Sequence, residues 1–194
     1  MTRRSMLMLA VCTLMLALVC GFAATPGCTR HEGNAEDGTP VDTQIMAFLS
    51  EARALHHQAN IKEEAGDLPG AINAMERLVA ANRPHPERKG PEVEEVLADA
   101  YARLAELRLR KGDLDPAAAA VKGGLEHVTD PTYFRGHLVE VQGLIEEARA
   151  AQLADAGNAA EAARAREHAI QLLEEVVKIQ EQVIKGSLGK DGAQ

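Results

Sequence analysis

Three short turns, Gly66-Asp67-Leu68, Gly112-Asp113-Leu114 and Gly157-Asn158-Ala159, recur 46 and 45 residues apart in a chain otherwise built of helix formers. Seven residues before each turn glycine stands an alanine (Ala59, Ala105, Ala150), and five residues after it stands another (Ala71, Ala117, Ala162). Small side chains on both flanks let two helix axes approach closely, so the pattern predicts helix, tight turn, helix, three times over. An array of this kind holds other molecules rather than making or breaking bonds, and no enzyme is expected.

Composition agrees with an all-α fold. Aromatic residues make up only 3% of the chain, with no Trp, while Ala, Leu, Glu, Arg, Gln and Lys predominate. These are strong helix formers, and period-two alternation is scarce. The core must therefore be thin and closely packed. Of the 21 basic residues, Arg3 and Arg4 lie in the N-terminal segment, which has none of the 29 acidic ones; the remainder carries 19 − 29 = −10. That charge argues against nucleic acid as a partner.

Thr2-Arg3-Arg4 precedes a nearly unbroken apolar run from Ser5 to Ala24, the arrangement of a secretory signal. Cys12 and Cys20 fall within the run, which leaves Cys28 as the one thiol beyond it. Thr25-Pro26-Gly27-Cys28 resembles a bacterial lipoprotein processing site, with small Gly27 directly before the cysteine. The expected organisation is a signal peptide over 1–27, lipidation at Cys28, a disordered linker over 28–41, a helical-repeat domain over 42–185 and a disordered tail over 186–194. Cleavage after Ala23 or Ala24, giving a secreted soluble protein, and a retained anchor are the alternatives. Lipidation would tether the domain to the bacterial cell envelope, facing the periplasm or the cell exterior.

Along the body, Asp42 or Thr43 is the expected cap of a first helix ending near Ala65, and a second helix starts near Pro69. Arg83-Pro84-His85-Pro86 stops it, and Arg83 to Gly90 reads as an exposed connection. Gly90-Pro91-Glu92 opens the third helix, Asp115-Pro116 the fourth and Asp130-Pro131 the fifth. The sixth runs from about Ala159 to Lys185, where Gly186 should end it. Its apolar set, from Ala169 to Ile184, exceeds what one hairpin needs; a cap on the core is preferred to a dimerisation seam.

The turn glycines with their flanking alanines, together with Leu55, Tyr101, Leu104, Met75 and Val121 at bulky positions, make the chain similar to tetratricopeptide repeat (TPR) proteins. Glu146, Arg149 and Arg166 depart from the pattern in the third unit, and the period of about 45 exceeds the family's ~34. The resemblance implies a right-handed superhelix of about three antiparallel helix hairpins. Ala59, Gly66, Ala71, Ala105, Gly112, Ala117, Ala150, Gly157 and Ala162 would pack the repeats. A concave groove would bind a protein or peptide partner through Arg53, His56, Asn60, Glu63, Asp99, Glu106, Arg110 and Glu147, with Ala102 and Ala151 also placed there by offset. Asn60 alone matches the family's carboxylate clamp.

Chemistry is sparse. His56 and His57 point about 100° apart on a helix and make a poor metal pair, and His31, His85, His127, His137 and His168 have no partner one turn away. Glu63-Glu64, Glu94-Glu95 and Glu174-Glu175 read as solvated surface. No phosphate-binding loop or nucleophile elbow is present, and no cofactor or metal is expected. The expectation is a membrane-tethered protein-interaction scaffold or assembly factor. A self-associating structural protein, with a homo-oligomer through the last helix, is the alternative, and a periplasmic ligand-binding protein is a more remote one.

Overall fold

The computed structural model describes residues 41–191. The expected signal peptide 1–27, the lipidation at Cys28 and nearly all of the linker lie outside the described residues, as does the tail from 192 to 194. The described chain is all-helical: α1 (Thr43–Glu64), α2 (Leu68–Val79), α3 (Pro91–Lys111), α4 (Leu114–Leu125), α5 (Tyr133–Asp155) and α6 (Ala159–Asp191).

The three turns are built alike. Gly66, Gly112 and Gly157 adopt φ of 78°, 89° and 80°, and the N–H of the next residue reaches back to Lys62, Arg108 or Leu153 at 2.8 to 2.9 Å. That bond satisfies a carbonyl the helix end leaves open, and the left-handed conformation costs glycine little. All six flanking alanines are fully or almost fully buried. Each seam thus closes on Cβ atoms, as small residues at those offsets require.

Successive helices pack against one another, and α3 also touches α1 and α5. The main core gathers Leu55, Met75, Leu78, Leu104, Leu107, Val121, Leu138, Val141 and Ile145 around the buried alanines. A smaller cluster joins Phe48 to Val93 and Leu97, and another joins Val139 to Leu172 and Ile179.

One cap falls on an expected residue and several other boundaries differ from expectation, each for a local reason. Asp42 caps α1, its Oδ1 accepting from the N–H groups of Gln44 and Ile45 at 3.0 and 3.2 Å. α5 begins two residues after Pro131, because the Thr132 hydroxyl accepts from Arg135 N–H at 3.2 Å and sets the cap there. α4 begins at Leu114, ahead of Asp115-Pro116, since it follows the glycine turn directly. Gly186 does not end α6: the helix continues to Asp191, glycine being tolerated inside a helix at modest cost. On α5, Leu144 is exposed, whereas Val139 and Gly143 are buried against α6.

The connection between α2 and α3 is not simply exposed. Pro84 is buried, and His85, at φ 49°, bonds through Nε2 to Asp42 Oδ2 at 2.7 Å. The loop is thereby fastened to the cap of α1.

Candidate partner-binding face

On α1, Leu49, Arg53, His56, Asn60 and Glu63 recur at steps of three and four, which places them on one helix face. Val96, Asp99, Arg103, Glu106 and Arg110 do the same on α3. The packing of α1 and α5 on α3 brings these faces together with Phe134 and His137 of α5. At one end lies a hollow of ≈ 410 Å³ lined by Leu49, Ala52, Arg53, His56, Val96, Asp99 and Phe134. Its floor is apolar, and its rim carries both signs of charge.

Beside the hollow runs a chain of ionic contacts. His56 Nε2 stands 3.6 Å from Asp99 Oδ2. Arg103 is the hub: its guanidinium donates to Asn60 Oδ1 at 3.3 Å, to Glu106 Oε2 at 3.1 Å, and to Glu63. Arg110 approaches the other oxygen of Glu63. Glu106 Oε1 in turn meets His137 Nε2 at 3.0 Å, so the network crosses α1, α3 and α5. Arg53, Arg103 and Arg110 balance Glu63, Asp99 and Glu106, which leaves the face nearly neutral before its histidines titrate.

The histidines are set differently. The hydrogen bond to Glu106 raises the His137 pKa above its ordinary 6.5, against the opposing effect of burial. Burial alone would raise Glu106, but bonds from His137 and Arg103 outweigh it and hold the carboxyl below 4.5. His56 is lowered by burial first, with the Arg103 charge adding to it, despite the nearby Asp99. One imidazole of this face is thus biased towards its charged form and the other towards its neutral form.

Of the expected groove residues, the structure brings together Arg53, His56, Asn60, Glu63, Asp99, Glu106 and Arg110. Glu147 is elsewhere, in a cleft against α6 with Arg166, Ala169, Ile170 and Leu173. Arg103 and His137 were missed by counting offsets from the turns, which selected Ala102 instead. Ala102 is buried, because α3 packs against α1, α2, α4 and α5, whereas among the described elements α1 packs against α2 and α3 alone. The same offset is therefore half-exposed at His56 in α1 and buried at Ala102 in α3. Steps of three and four from Asp99 would have found Arg103.

A second ionic cluster corrects the reading of Glu94 as surface. Glu94 is only 6% exposed, and its carboxylate meets Arg83 from the α2–α3 connection. Its other oxygen accepts from His127 Nδ1 at 2.7 Å, and the His127 ring stacks on Tyr101 with centroids 5.5 Å apart. Burial and the charges of Arg83 and Lys89 lower the His127 pKa, so a neutral imidazole serves as donor to a carboxylate that Arg83 already neutralises. The cluster ties the α2–α3 connection, α3 and the α4–α5 connection together.

Among the described residues, no group of three or more His, Cys, Asp or Glu is arranged to hold a metal ion, and no helix is long and apolar enough to cross a membrane. No protein-family model, curated protein or solved structure matches the chain.

Proposed function

We propose that this chain is a membrane-tethered scaffold or assembly factor of the bacterial envelope. In this reading, a TPR-like superhelix of three helix hairpins grips a protein or peptide partner along the face shared by α1, α3 and α5. The observation that carries the reading is the convergence of three helices' polar stripes beside an apolar-floored hollow. A near-neutral face with paired charges suits an extended segment that offers one apolar anchor to the hollow and exchanges hydrogen bonds with Arg53, His56 and Asp99. Binding, not catalysis, is the activity, and a lipid at Cys28 would raise the local concentration of envelope partners.

In-cell crosslinking of the tagged full chain, followed by identification of what it captures, tests this reading. The expected result is one dominant envelope protein in stoichiometric yield, lost with Arg53→Glu and retained with His57→Ala, which is exposed outside the hollow. Capture of only the chain itself, or capture indifferent to Arg53→Glu, would overturn it. Cys28→Ser should release the protein from membranes; unchanged retention with an uncleaved N-terminus would remove the lipid anchor from the account.

A further inference from the structure

The long last helix exposes an apolar stripe: Ile170, Leu173, Val177, Ile184 and Leu188 are between 41% and 67% accessible. In the packing series, α2 lies between α1 and α3, and α4 between α3 and α5, but α6 packs only against α5 among the described elements. The side that a following helix would cover is the side without one. Extended backwards at helical steps of three and four, the stripe takes in Arg166, Ala163 and Ala159, all exposed, and forwards it crosses Glu181.

We propose that this stripe binds a second copy of the same chain, α6 against α6, antiparallel about a two-fold axis between Leu173 and Glu174. The stripe is complementary to its own reverse. About that axis Ile170 faces Val177 of the other copy, and the two Leu173 side chains flank the centre. Further out, Arg166 faces Glu181. Beyond that pair, the large Ile184 and Leu188 of the C-terminal half meet the small Ala163 and Ala159 of the N-terminal half. Apolar side chains therefore meet at the centre, opposite charges flank them, and bulk falls against space in the outer steps. An in-register parallel pair would instead set Arg166 against Arg166 and Glu181 against Glu181.

The charges within the chain fit this arrangement. Arg166 makes no ion pair among the described residues although it shares a cleft with Glu147, and Glu181 is met only by Lys185 of its own helix at 3.5 Å. The core side of α6, carrying Ala165, Ala169, Leu172 and Ile179, turns away from most of the stripe, and Leu173, which also borders Gly143 of α5, keeps 41% of its surface accessible, so both surfaces can be satisfied at once. The dimer leaves the α1–α3–α5 face free and does not depend on what that face binds.

The test is the mass of the full chain in mild detergent, by sedimentation equilibrium with the detergent contribution matched out. The expected species is a dimer. Val177→Glu, at a solvent-facing position, should weaken it by at least about tenfold with helix content unchanged. Arg166→Glu and Glu181→Arg should each weaken it, and the double charge swap should restore it, because only the antiparallel register puts the two positions together. A monomer at high concentration, a dimer indifferent to Val177→Glu, or single reversals that the double swap does not rescue would each overturn the proposal.

Discussion

Glu94 shows how a residue that looks solvated can become structural. It sits in the first turn of α3, where a carboxylate is favoured by the helix dipole, yet the chain folds two connections over it. With Arg83 on one oxygen and His127 on the other, its charge is compensated where water is nearly excluded. Removing one partner should therefore cost more than the pair itself contributes. Arg83→Ala is expected to lower stability by about 2 kcal/mol, read as a shift in the urea midpoint, while Glu95→Gln next door should change it by less than about 0.5 kcal/mol. Helical steps separate them in part, since Leu97, Ala98 and Tyr101 follow Glu94 at three, four and seven, while Asp99 follows Glu95 at four. What the spacing does not give is the path of the Arg83 to Gly90 connection, which brings the cation to Glu94.

At the scale of elements, the turns were legible because they rest on a local rule. A left-handed residue between two helices calls for glycine, and the alanines at fixed offsets follow from the closeness of the axes. Gly66→Ala, Gly112→Ala and Gly157→Ala meet no steric neighbour, so each should cost only the conformational penalty, about 1 kcal/mol in thermal or urea unfolding. Gly186→Ala should do the opposite. It lies inside α6, with open space where a Cβ would be, and should stabilise that helix by about 0.5 to 1 kcal/mol. Helical content by circular dichroism and the unfolding midpoint distinguish the two cases. Boundaries away from the turns were less legible: Thr132 outcompeted Asp130-Pro131 as a cap, a choice among adjacent polar residues that the neighbouring chain decides, and Gly186 did not stop α6. The candidate face was legible in part. Stripes on single helices can be read from periodicity, but the rotation of α3 relative to α1, which hides Ala102 and presents Arg103, follows from packing on both sides.

For the whole molecule, the bond between Glu106 and His137 makes the seam of α3 and α5 sensitive to pH. The His137 pKa is raised, so its contribution is complete below 6.5 and is lost as pH climbs through the raised value. The Glu106 pKa is lowered, so its contribution is complete above 4.5 and is lost as pH falls through the lowered value. The pair therefore stabilises most between pH 4.5 and 6.5. His56 and His127, with lowered values, act in the other direction as pH drops below 6.5, so the effect of the pair is best read as a difference between proteins. The stability gap between the wild type and Glu106→Gln should be about 1 kcal/mol in that window and shrink above it; a gap that stays flat to pH 9 would show that the two groups are not coupled.

The central position of α3 also orders the molecule in time. Because this helix is flanked by α1, α2, α4 and α5, its amides can exchange with solvent only when several seams open together, whereas α1, and α6 in a monomeric chain such as Val177→Glu, can fray alone. Native-state hydrogen exchange of that monomer should thus be slowest in α3 and faster in α1 and α6. A partner lying across the face would find its firmest foothold on Asp99, Arg103 and Glu106, and by quieting α1 and α5 it would extend the slow-exchanging region outward from the middle of the chain.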